Sequence, residues 1–329
     1  MKAAIIGLGS IAPVHAQAIL RAEGEITAIC DIEEEKTAAF GAKFAPGARR
    51  FSDWKTMLAS LQGEVDVIHI TTPHYLHADM VCAALGAGFS VLCEKPLCIR
   101  EEDIGRILAA ERAAGGMLGV CLQNRYNESN RALFSLCGEK PAAAGFGSVV
   151  WERDENYYRS GAWRGKWATE GGGVMINQAL HTLDLLLCVM GDPVSVVATT
   201  ENRHLGGKIE VEDTASARFL TADGRSFSFF ATTGGGADFP VQLMVRTAAG
   251  DTVVAANDTL TVNGEIRPSE SGTVRYGKDV WGDGHAHLVA DFYDAVAHGR
   301  HFAIDGAEGA RVVRAILAMY RSGGKEVGV

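Results

Sequence analysis

The 329-residue sequence lacks features that would place it among membrane or nucleic-acid-binding proteins. It has no run near the roughly 20 uncharged apolar residues that a membrane-spanning helix requires, and its longest candidate, Leu183–Met190, contains Asp184. Basic residues are not in excess: 31 Lys and Arg stand against 40 Asp and Glu, a formal net charge of −9. This balance argues against binding to nucleic acid or to an anionic membrane surface, so small molecules and sister subunits are the expected partners.

Paired cysteines and metal-binding spacings are also missing. The seven cysteines are odd in number and form no C-x-x-C pair, so the sequence predicts neither a disulfide framework nor a zinc knuckle. His77, His285 and His287 do not follow H-E-x-x-H or another ligand spacing, and we predict no metal site. Free thiols fit a reducing compartment, and we expect a cytoplasmic protein.

The composition is that of a folded protein, with 47% hydrophobic and 22% charged residues. No internal repeat or low-complexity linker interrupts the chain. This length and mixture predict about two domains that pack tightly.

The N-terminal segment has the pattern of a dinucleotide-binding turn. The apolar run Ala3–Ile6 stops at Gly7-Leu8-Gly9-Ser10-Ile11-Ala12, after which apolar residues recur at helical spacing. In this G-x-G-x-x-A pattern the first glycine permits a tight turn and the second lets the backbone approach a pyrophosphate. Backbone N–H groups at the helix start, at Ser10 and Ile11, are expected to face the phosphates.

The same segment has the outline of a short signal peptide, because Met1-Lys2 and an apolar stretch lead to Ala16-Gln17-Ala18. Cleavage there would remove the glycine motif that the following residues are built to use. We therefore expect the segment to be retained.

A second strand, Glu25–Cys30, ends at Asp31, 22 residues after Gly9, where dinucleotide-binding folds place the acid that holds a ribose. A 2′-phosphate at this point would meet Asp31 and the carboxylates of residues 33–35, with no arginine beside them in the sequence. The pattern therefore favours NAD over NADP. The alternative for Asp31 is a helix N-cap or a solvated strand end.

Strands and helices alternate as far as residue 122. Strands are predicted at Val65–Ile70, Ser90–Cys93 and Met117–Leu122, and helices at about 53–60, 77–86 and 101–114. This alternation predicts an α/β Rossmann domain with a doubly wound parallel sheet. Ligands in such sheets bind outside the carboxyl ends of the strands, which is where Thr72-Pro73-His74 and Glu94-Lys95-Pro96 lie.

The second half has a different rhythm, because strand-like runs follow one another without intervening helices. They are predicted at 194–199, 215–220, 226–231, 241–247 and 252–255, before two C-terminal helices at about 287–297 and 307–322. This order predicts an α+β domain with a large, mostly antiparallel open sheet. We divide the chain into an NAD-binding domain, 1–122, and a substrate-binding and oligomerisation domain, 123–329, that includes both C-terminal helices.

Two groups of polar residues are candidates for chemistry. After Gly171-Gly172-Gly173 the sequence predicts one helix to about Met190, on which Asn177, His181 and Asp184 fall at i, i+4 and i+7, away from the apolar stripe. The alternative is a core histidine satisfied by its two polar neighbours. Lys95 follows a buried strand and is either a functional cation or a side chain that reaches out to solvent.

These motifs resemble the glucose-fructose oxidoreductase, inositol dehydrogenase and rhizopine-catabolism family, Gfo/Idh/MocA. The similarity covers nearly the whole chain and does not specify one substrate. The motifs that carry it are Gly7–Ala12, Thr72–His77, Glu94-Lys95-Pro96, Gln123–Tyr126, Gly171–Gly173 with Asn177, His181 and Asp184, Gly284-His285 and Asp291–Tyr293.

The resemblance implies that a nicotinamide exchanges hydride with a sugar, inositol or related polyol at a site between the domains. It also implies a homodimer or homotetramer that assembles through the flat face of the open sheet. Lys95 would be the lysine of the family's EKP motif and His181 its catalytic histidine. Asn177 stands where inositol dehydrogenases carry aspartate, and an amide cannot take a proton, so an Asp–His relay is not expected. Further cofactor contacts are expected from Thr72, Pro73, His77 and Glu94, together with Lys95.

Oxidation of a secondary alcohol requires a base near neutral pKa and a cation for the developing alkoxide. Both His181 and Lys95 are candidates for the base. We expect His181 to accept the proton, Lys95 to stabilise the alkoxide, and Asn177 to orient the substrate or the imidazole.

Substrate contacts are predicted from aromatic rings and forked donors, which suit sugar faces, hydroxyls, or a carboxylate or phosphate on the sugar. The alternative is a structural loop with ordinary surface cations. The candidates are Arg125, Tyr158, Trp163, Arg164, Asn177 and Asp184.

Two other functions fit the same architecture. An NAD-dependent glycosidase would oxidise its substrate transiently, and a sensor would bind the cofactor without catalysis. The presence of both Lys95 and His181 counts against the sensor, which has no need of them.

Overall fold

The structure is a computed structural model that describes residues 1–256, 259–267 and 283–329. Its described residues form two compact units. The first contains residues 1–123 and 283–310, and the second contains residues 124–256, 259–267 and 311–329.

The first unit contains a six-stranded sheet in the order β3-β2-β1-β4-β5-β6, with every neighbouring pair parallel. The strands are β1 (Lys2–Ile6), β2 (Glu25–Cys30), β3 (Arg49–Phe51), β4 (Val67–Ile70), β5 (Ser90–Cys93) and β6 (Leu118–Val120). The helices between them are α1 (Ala12–Arg21), α2 (Glu34–Phe44), α3 (Trp54–Ser60), α4 (His77–Gly86) and α5 (Glu101–Ala113). This is the doubly wound order of a Rossmann domain, and it confirms the predicted fold class.

Burial explains why the strands of this unit read as continuous apolar runs. Ile5, Ile29, Ile68 and Val91 are completely inaccessible to solvent, as expected where helices cover both faces of a parallel sheet. Local signals set the helix starts as well, since Asp53 caps α3 by accepting a hydrogen bond from the backbone N–H of Thr56 at 2.7 Å.

The second unit contains a nine-stranded sheet in the order β14-β13-β12-β11-β7-β10-β9-β8-β15. Only the β7–β10 pair is parallel among its described neighbours, so the predicted mostly antiparallel sheet is confirmed. The strands are β7 (Ala142–Val150), β8 (Pro193–Glu201), β9 (Thr214–Thr221), β10 (Ser226–Thr232), β11 (Gln242–Thr247), β12 (Thr252–Ala256), β13 (Thr259–Val262), β14 (Glu265–Arg267) and β15 (Glu326–Gly328). The helices of this unit that precede β8 in the chain are α6 (Glu128–Glu139), α7 (Glu155–Arg159), α8 (Val174–Asn177) and α9 (Leu180–Met190).

Helix α9 lies close against the central strand β7 because two positions of that strand lack side chains. A Cβ at Gly145 would lie 2.8 Å from Cδ1 of Leu186 on α9, and one at Gly147 would lie 3.4 Å from Cδ2 of the same side chain. The glycines therefore let α9, which carries His181, pack on β7.

The C-terminal helices are α10 (Gly284–His298) and α11 (Gly306–Ser322). Our division by sequence placed α10 in the second domain, whereas the structure places it in the first unit, packed on α1. The reason is its apolar face: the Phe292 ring fills the space beside Gly119 of β6, where a Cβ would come within 2.7 Å of the ring. Among the described residues, no helix combines the length and apolar character that crossing a bilayer would require.

Candidate active-site elements

The glycine loop after β1 makes a tight turn with open space beside Gly9. Gly7 has φ of +90°, and a Cβ there would come within 2.8 Å of the backbone nitrogen of Thr72, so the loops after β1 and β4 touch. By contrast, a Cβ at Gly9 would meet no atom within 4 Å, which leaves open space beside the loop. Helix α1 starts after Ser10 and Ile11 with no side-chain cap, and a helix N-terminus in this place is where dinucleotide-binding folds hold a pyrophosphate.

Asp31 braces this loop from the end of β2. Its Oδ2 accepts a hydrogen bond from the backbone N–H of Leu8 at 2.7 Å, and its Oδ1 accepts one from the N–H of Glu33 at 3.0 Å. Each carboxylate oxygen has a further lone pair. Asp31 therefore fits ribose hydroxyls while it holds the loop.

His77 joins the loops that follow β4 and β5. Its Nδ1 lies 2.7 Å from the carbonyl oxygen of Pro96, and its Nε2 lies 2.9 Å from that of Thr72, next to Pro73. Burial lowers the pKa of His77, and this effect outweighs the two hydrogen bonds, which raise the pKa. The imidazole that we predicted to touch the cofactor is thus engaged with backbone on both sides.

Lys95 lies half-buried directly after β5, and the Lys95–Pro96 peptide bond is cis. The neighbouring Glu94 is buried, and its carboxylate turns inward. Oε1 accepts a hydrogen bond from Nε2 of His15 at 3.0 Å and lies 3.5 Å from Nε2 of His285, while Oε2 accepts one from the backbone N–H of Lys95 at 3.1 Å. Burial raises the pKa of Glu94, but the hydrogen bonds from the two histidines hold it well below its usual range.

Sequence reasoning missed the buried groups that continue from Glu94. Nδ1 of His15 lies 2.9 Å from Nδ1 of His69, and Nε2 of His69 lies 2.9 Å from the hydroxyl of Tyr293. A histidine in the middle of the apolar strand β4 was the available signal. Cys121 is also near, with Sγ 3.8 Å from Nε2 of His15, and burial raises its pKa well above the ordinary value, so it is a neutral thiol.

His15, Glu94 and Cys121 together place three possible metal ligands within 4.8 Å of one another, although we predicted no metal site. The 3.0 Å His15–Glu94 distance is that of a hydrogen bond. The absence of a metal site stays a prediction.

In the second unit, the predicted single helix after the glycines is two helices. Helix α8 closes because the backbone N–H of Ala179 donates to the carbonyl oxygen of Val174, five residues back, at 2.8 Å, and α9 starts at Leu180. The prediction that Asn177 and His181 share one helical face was wrong. His181 and Asp184 do lie on one helix, α9.

Asn177 belongs to a polar cluster that contains two residues the sequence did not single out, Tyr157 and Glu170. Its Nδ2 donates to Oε1 of the buried Glu170 at 2.5 Å and lies 3.2 Å from the Tyr157 hydroxyl. The same hydroxyl also accepts hydrogen bonds from Nη1 of Arg164 at 2.6 Å and from Nε2 of Gln178 at 3.0 Å. Burial raises the pKa of Tyr157, so its phenol is neutral.

Among the predicted substrate residues, Arg164 and Tyr158 lie in different environments. The guanidinium of Arg164 lies over the rings of Tyr157 and Trp163, 4.5 Å from each centroid. Tyr158, in contrast, is buried in an apolar cluster with Leu205, Ile209 and Val211. The hydroxyl that faces Asn177 is that of its neighbour, Tyr157.

Arg125 and Asp184 bind each other. Nε and Nη2 of Arg125 donate to the two carboxylate oxygens of Asp184 at 2.8 and 2.6 Å, and the carboxylate is buried. Such a bidentate pair fixes geometry strongly. It anchors α9 three residues beyond His181.

Glu212, also missed, holds the triple-glycine turn that leads to Asn177. Its carboxylate accepts hydrogen bonds from the N–H groups of Gly173 and Met175 at 2.8 and 3.0 Å and from the Tyr320 hydroxyl at 2.9 Å. Burial raises the pKa of Glu212 to about 7. A Cβ at Gly173 would overlap the carbonyl oxygen of Glu212, and one at Gly172 would overlap the Tyr320 hydroxyl, which explains the glycines.

Two family models match this chain. One is described as an oxidoreductase family with an NAD-binding Rossmann fold and matches residues 1–122, and the other is a GFO/IDH/MocA C-terminal domain that matches residues 146–265. A 1,5-anhydro-D-fructose reductase from Ensifer adhaerens is 30% identical over 217 residues, 64% of this chain and 62% of that protein. An inositol 2-dehydrogenase from Salmonella typhimurium is 32% identical over 131 residues, 39% of this chain and 38% of that protein. The alignment thus spans less than two thirds of either relative.

Solved structures agree with these matches over the full chain. The WlbA dehydrogenase from Bordetella pertussis, in complex with NADH and UDP-GlcNAcA, has a TM-score of 0.85 and 29% identity, with 100% of this chain and 98% of that chain covered. A levoglucosan dehydrogenase in complex with NADH and levoglucosan has a TM-score of 0.86 at 20% identity, with 100% and 99% covered, and this second likeness shows the fold alone.

Proposed function

Because this chain belongs to the Gfo/Idh/MocA family of NAD-binding oxidoreductases, as its motifs predicted, we propose that it transfers hydride between a nicotinamide and a secondary alcohol of a sugar, sugar derivative or inositol-like polyol. The observation that carries the proposal is Lys95, held at the carboxyl end of β5 in the parallel sheet whose strand β1 leads into the glycine loop. The substrate class is supported by the names of relatives, which act on an anhydrofructose and on inositol.

For the cofactor, Gly7, Gly9, Ser10 and Ile11 would hold the pyrophosphate and Asp31 a ribose. Bound NAD supplies the acceptor for the hydride that leaves the carbinol carbon. Thr72 and Pro73 would border the nicotinamide, beside Lys95. NADP fits less well because a 2′-phosphate would approach the carboxylates at Asp31 and residues 33–35.

For the proton, we assign His181 as the acceptor of the hydroxyl proton and Lys95 as the cation that stabilises the alkoxide. Asn177 would orient the substrate, since its amide is fixed by Glu170 and Tyr157. An amide takes no proton, so Asn177 has no part in proton transfer.

For the substrate, Trp163 and Arg164 offer a flat ring and a forked donor. The Arg164 guanidinium lies between two aromatic rings, and a planar cation in that setting suits a sugar hydroxyl or carboxylate. Arg125 and Asp184 would act through the position of α9.

A substrate panel tests the proposed function. The purified protein is mixed with NAD and, separately, NADP, together with myo-inositol, levoglucosan, glucose and UDP-GlcNAcA, and the reverse reaction is tested with NADH and 1,5-anhydro-D-fructose. We expect the NADH absorbance to change with at least one sugar or polyol and to change more slowly with NADP. Sugar binding without turnover would favour the sensor, and release of phenol from aryl glycosides without NADH accumulation would favour the glycosidase.

A further inference from the structure

Buried side chains hold the Lys95 segment on both sides through hydrogen bonds to protein atoms. We propose that His15, acting through Glu94, and His77, acting through the Pro96 carbonyl, are positioning residues that aim the Lys95 side chain. The inference rests on the proposed function in one respect: it takes Lys95 as the group that contacts the reacting hydroxyl.

The first hold is the Glu94 carboxylate. A buried carboxylate is costly unless hydrogen bonds satisfy it, and here His15 binds Oε1 while the N–H of Lys95 itself binds Oε2. The direction of the Lys95 backbone is therefore tied to where His15 holds the carboxylate. Loss of His15 would leave the carboxylate with only the longer 3.5 Å contact to Nε2 of His285 beside the Lys95 N–H, and so with a looser position.

The position of His15 is in turn fixed by a chain of buried hydrogen bonds. Its Nε2 contacts the ionised Glu94, its Nδ1 lies 2.9 Å from Nδ1 of His69, and Nε2 of His69 lies 2.9 Å from the Tyr293 hydroxyl. Burial lowers the pKa of His69 and raises that of Tyr293, so both groups are neutral.

This chain runs from Tyr293 of α10 through His69 of β4 and His15 of α1 to Glu94, directly after β5. All four residues are buried. The chain therefore connects the Lys95 backbone to the rigid interior of the first unit.

The second hold is His77, on the other side of Lys95. Its two ring nitrogens face the carbonyl oxygens of Pro96 and Thr72 in opposite directions. A neutral imidazole has one N–H, so His77 donates to one of these carbonyl oxygens while its ring spans the gap between the two loops. A glutamine keeps a donor but has no ring to span that gap. His77→Gln therefore frees one of the two loops without adding volume.

The test compares variants that remove the His15–Glu94 or His77–Pro96 contact with variants that keep it. His15→Leu removes both hydrogen bonds of the ring, whereas His15→Gln keeps a donor near the position of Nε2. Tyr293→Phe removes only the far end of the chain. His301→Gln is a matched control, because His301 is an exposed histidine of the same unit.

Two readouts are needed. The first is kcat and KM with the substrate found by the panel, together with the Kd for NAD. The second is the pH dependence of Lys95 acylation by acetic anhydride, followed by mass spectrometry against the exposed Lys36 of the same sample, which needs no substrate.

We expect kcat to fall at least tenfold in His15→Leu and His77→Gln, with KM and the Kd for NAD within about twofold of wild type, because misplacing a reacting group by about 1 Å can cost up to about 100-fold. The Lys95 acylation profile is expected to shift in the same variants. His15→Gln is expected to recover much of the loss, Tyr293→Phe to show a smaller one, and His301→Gln none.

Unchanged kcat and unchanged Lys95 acylation in folded His15→Leu and His77→Gln would overturn the proposal, as would a parallel loss of NAD binding and kcat. If His15→Leu does not fold, His77→Gln and Tyr293→Phe decide the question. If the wild type turns over no substrate, the proposed function fails, while the acylation profiles still test whether these histidines position Lys95.

Discussion

Asp31 braces the glycine loop through the N–H of Leu8 and stands where a ribose would bind. Replacement by asparagine keeps an acceptor for Leu8 but removes the negative charge. Hydrogen bonds to a charged group contribute about 1.5–3 kcal/mol, so we expect the Kd for NAD to rise by at least about tenfold and the preference over NADP to shrink.

Fluorescence titration with both dinucleotides checks this expectation. Glu25→Gln is the control, since Glu25 is exposed at the opposite end of β2. Equal affinity of wild type and Asp31→Asn for NAD would remove Asp31 from the cofactor site.

At the residue scale, sequence motifs named Lys95, Asp31 and Asn177, but they did not name the partners of these residues. Glu170 and Tyr157 bind Asn177 from 7 and 20 residues away, and Glu212 reaches Gly173 from 39 residues away. Such pairings depend on how the chain folds back, and a local pattern does not contain them. The sequence pattern also could not tell which of Tyr157 and Tyr158 lies near Asn177, because only the fold shows that the Tyr158 ring is the one buried in the core.

At the scale of elements, the turn before α8 depends on glycine and on Glu212. Gly173→Ala would drive a Cβ into the Glu212 carbonyl oxygen, and because this is backbone the overlap is not relieved by a side-chain rotation. We expect a loss of roughly 2–4 kcal/mol in the free energy of unfolding, measured by urea denaturation.

Gly105→Ala is the matched control, because Gly105 lies in the exposed interior of α5 with open space at its Cβ. There the same substitution should stabilise the protein by about 0.5–1 kcal/mol. Equal effects at the two positions would contradict the packing described for the triple glycine.

Glu212 also predicts a pH dependence of stability. Its pKa is about 7 in the folded chain, against an ordinary value of 4.5, so between these pH values the folded state holds a proton that the unfolded state has released. The free energy of unfolding therefore falls as pH rises through this window, by up to about 1.4 kcal/mol per unit, and this contribution is constant above it.

Glu212→Gln removes the titration, so the difference in unfolding free energy between variant and wild type should change across the same window. Urea denaturation of both proteins at several pH values measures it. A difference that does not vary with pH would show that Glu212 titrates normally.

Sequence predicted the first unit better than the second for reasons that lie in particular elements. The bounds of β2, α4 and β5 match because each combines an apolar run with a clear start and stop. Strand β7 was missed because its alanines and glycines show no alternation, and its place is set by α9, β10 and β11 packed around it. The break between α8 and α9 was missed because the apolar stripe continues in phase across it.

At the scale of the whole molecule, the nine-stranded sheet exposes one face to solvent as far as the described residues show. Alternate residues of β8, β9 and β11 point outward, and the large exposed apolar side chains among them are Val194, Val197, Leu220 and Met244. An apolar patch on a sheet marks an interaction surface. We expect this face to make the homodimer or homotetramer contact.

Light scattering after size exclusion should give two or four times the 35.0 kDa chain mass. Val197→Asp combined with Met244→Asp should lower that mass, while Lys55→Asp, on the exposed side of α3, should not. A monomer mass for the wild-type protein would contradict the predicted homodimer or homotetramer. The cytoplasmic location and the domain boundary at residue 122 stay predictions.

The most direct test of the central claim is turnover by Lys95→Met with the best substrate of the panel. If Lys95 stabilises the alkoxide, kcat falls by about 100-fold or more while the Kd for NAD stays within about twofold of wild type. If Lys95→Met turns over at the wild-type rate, Lys95 is not part of the chemistry and the account is wrong.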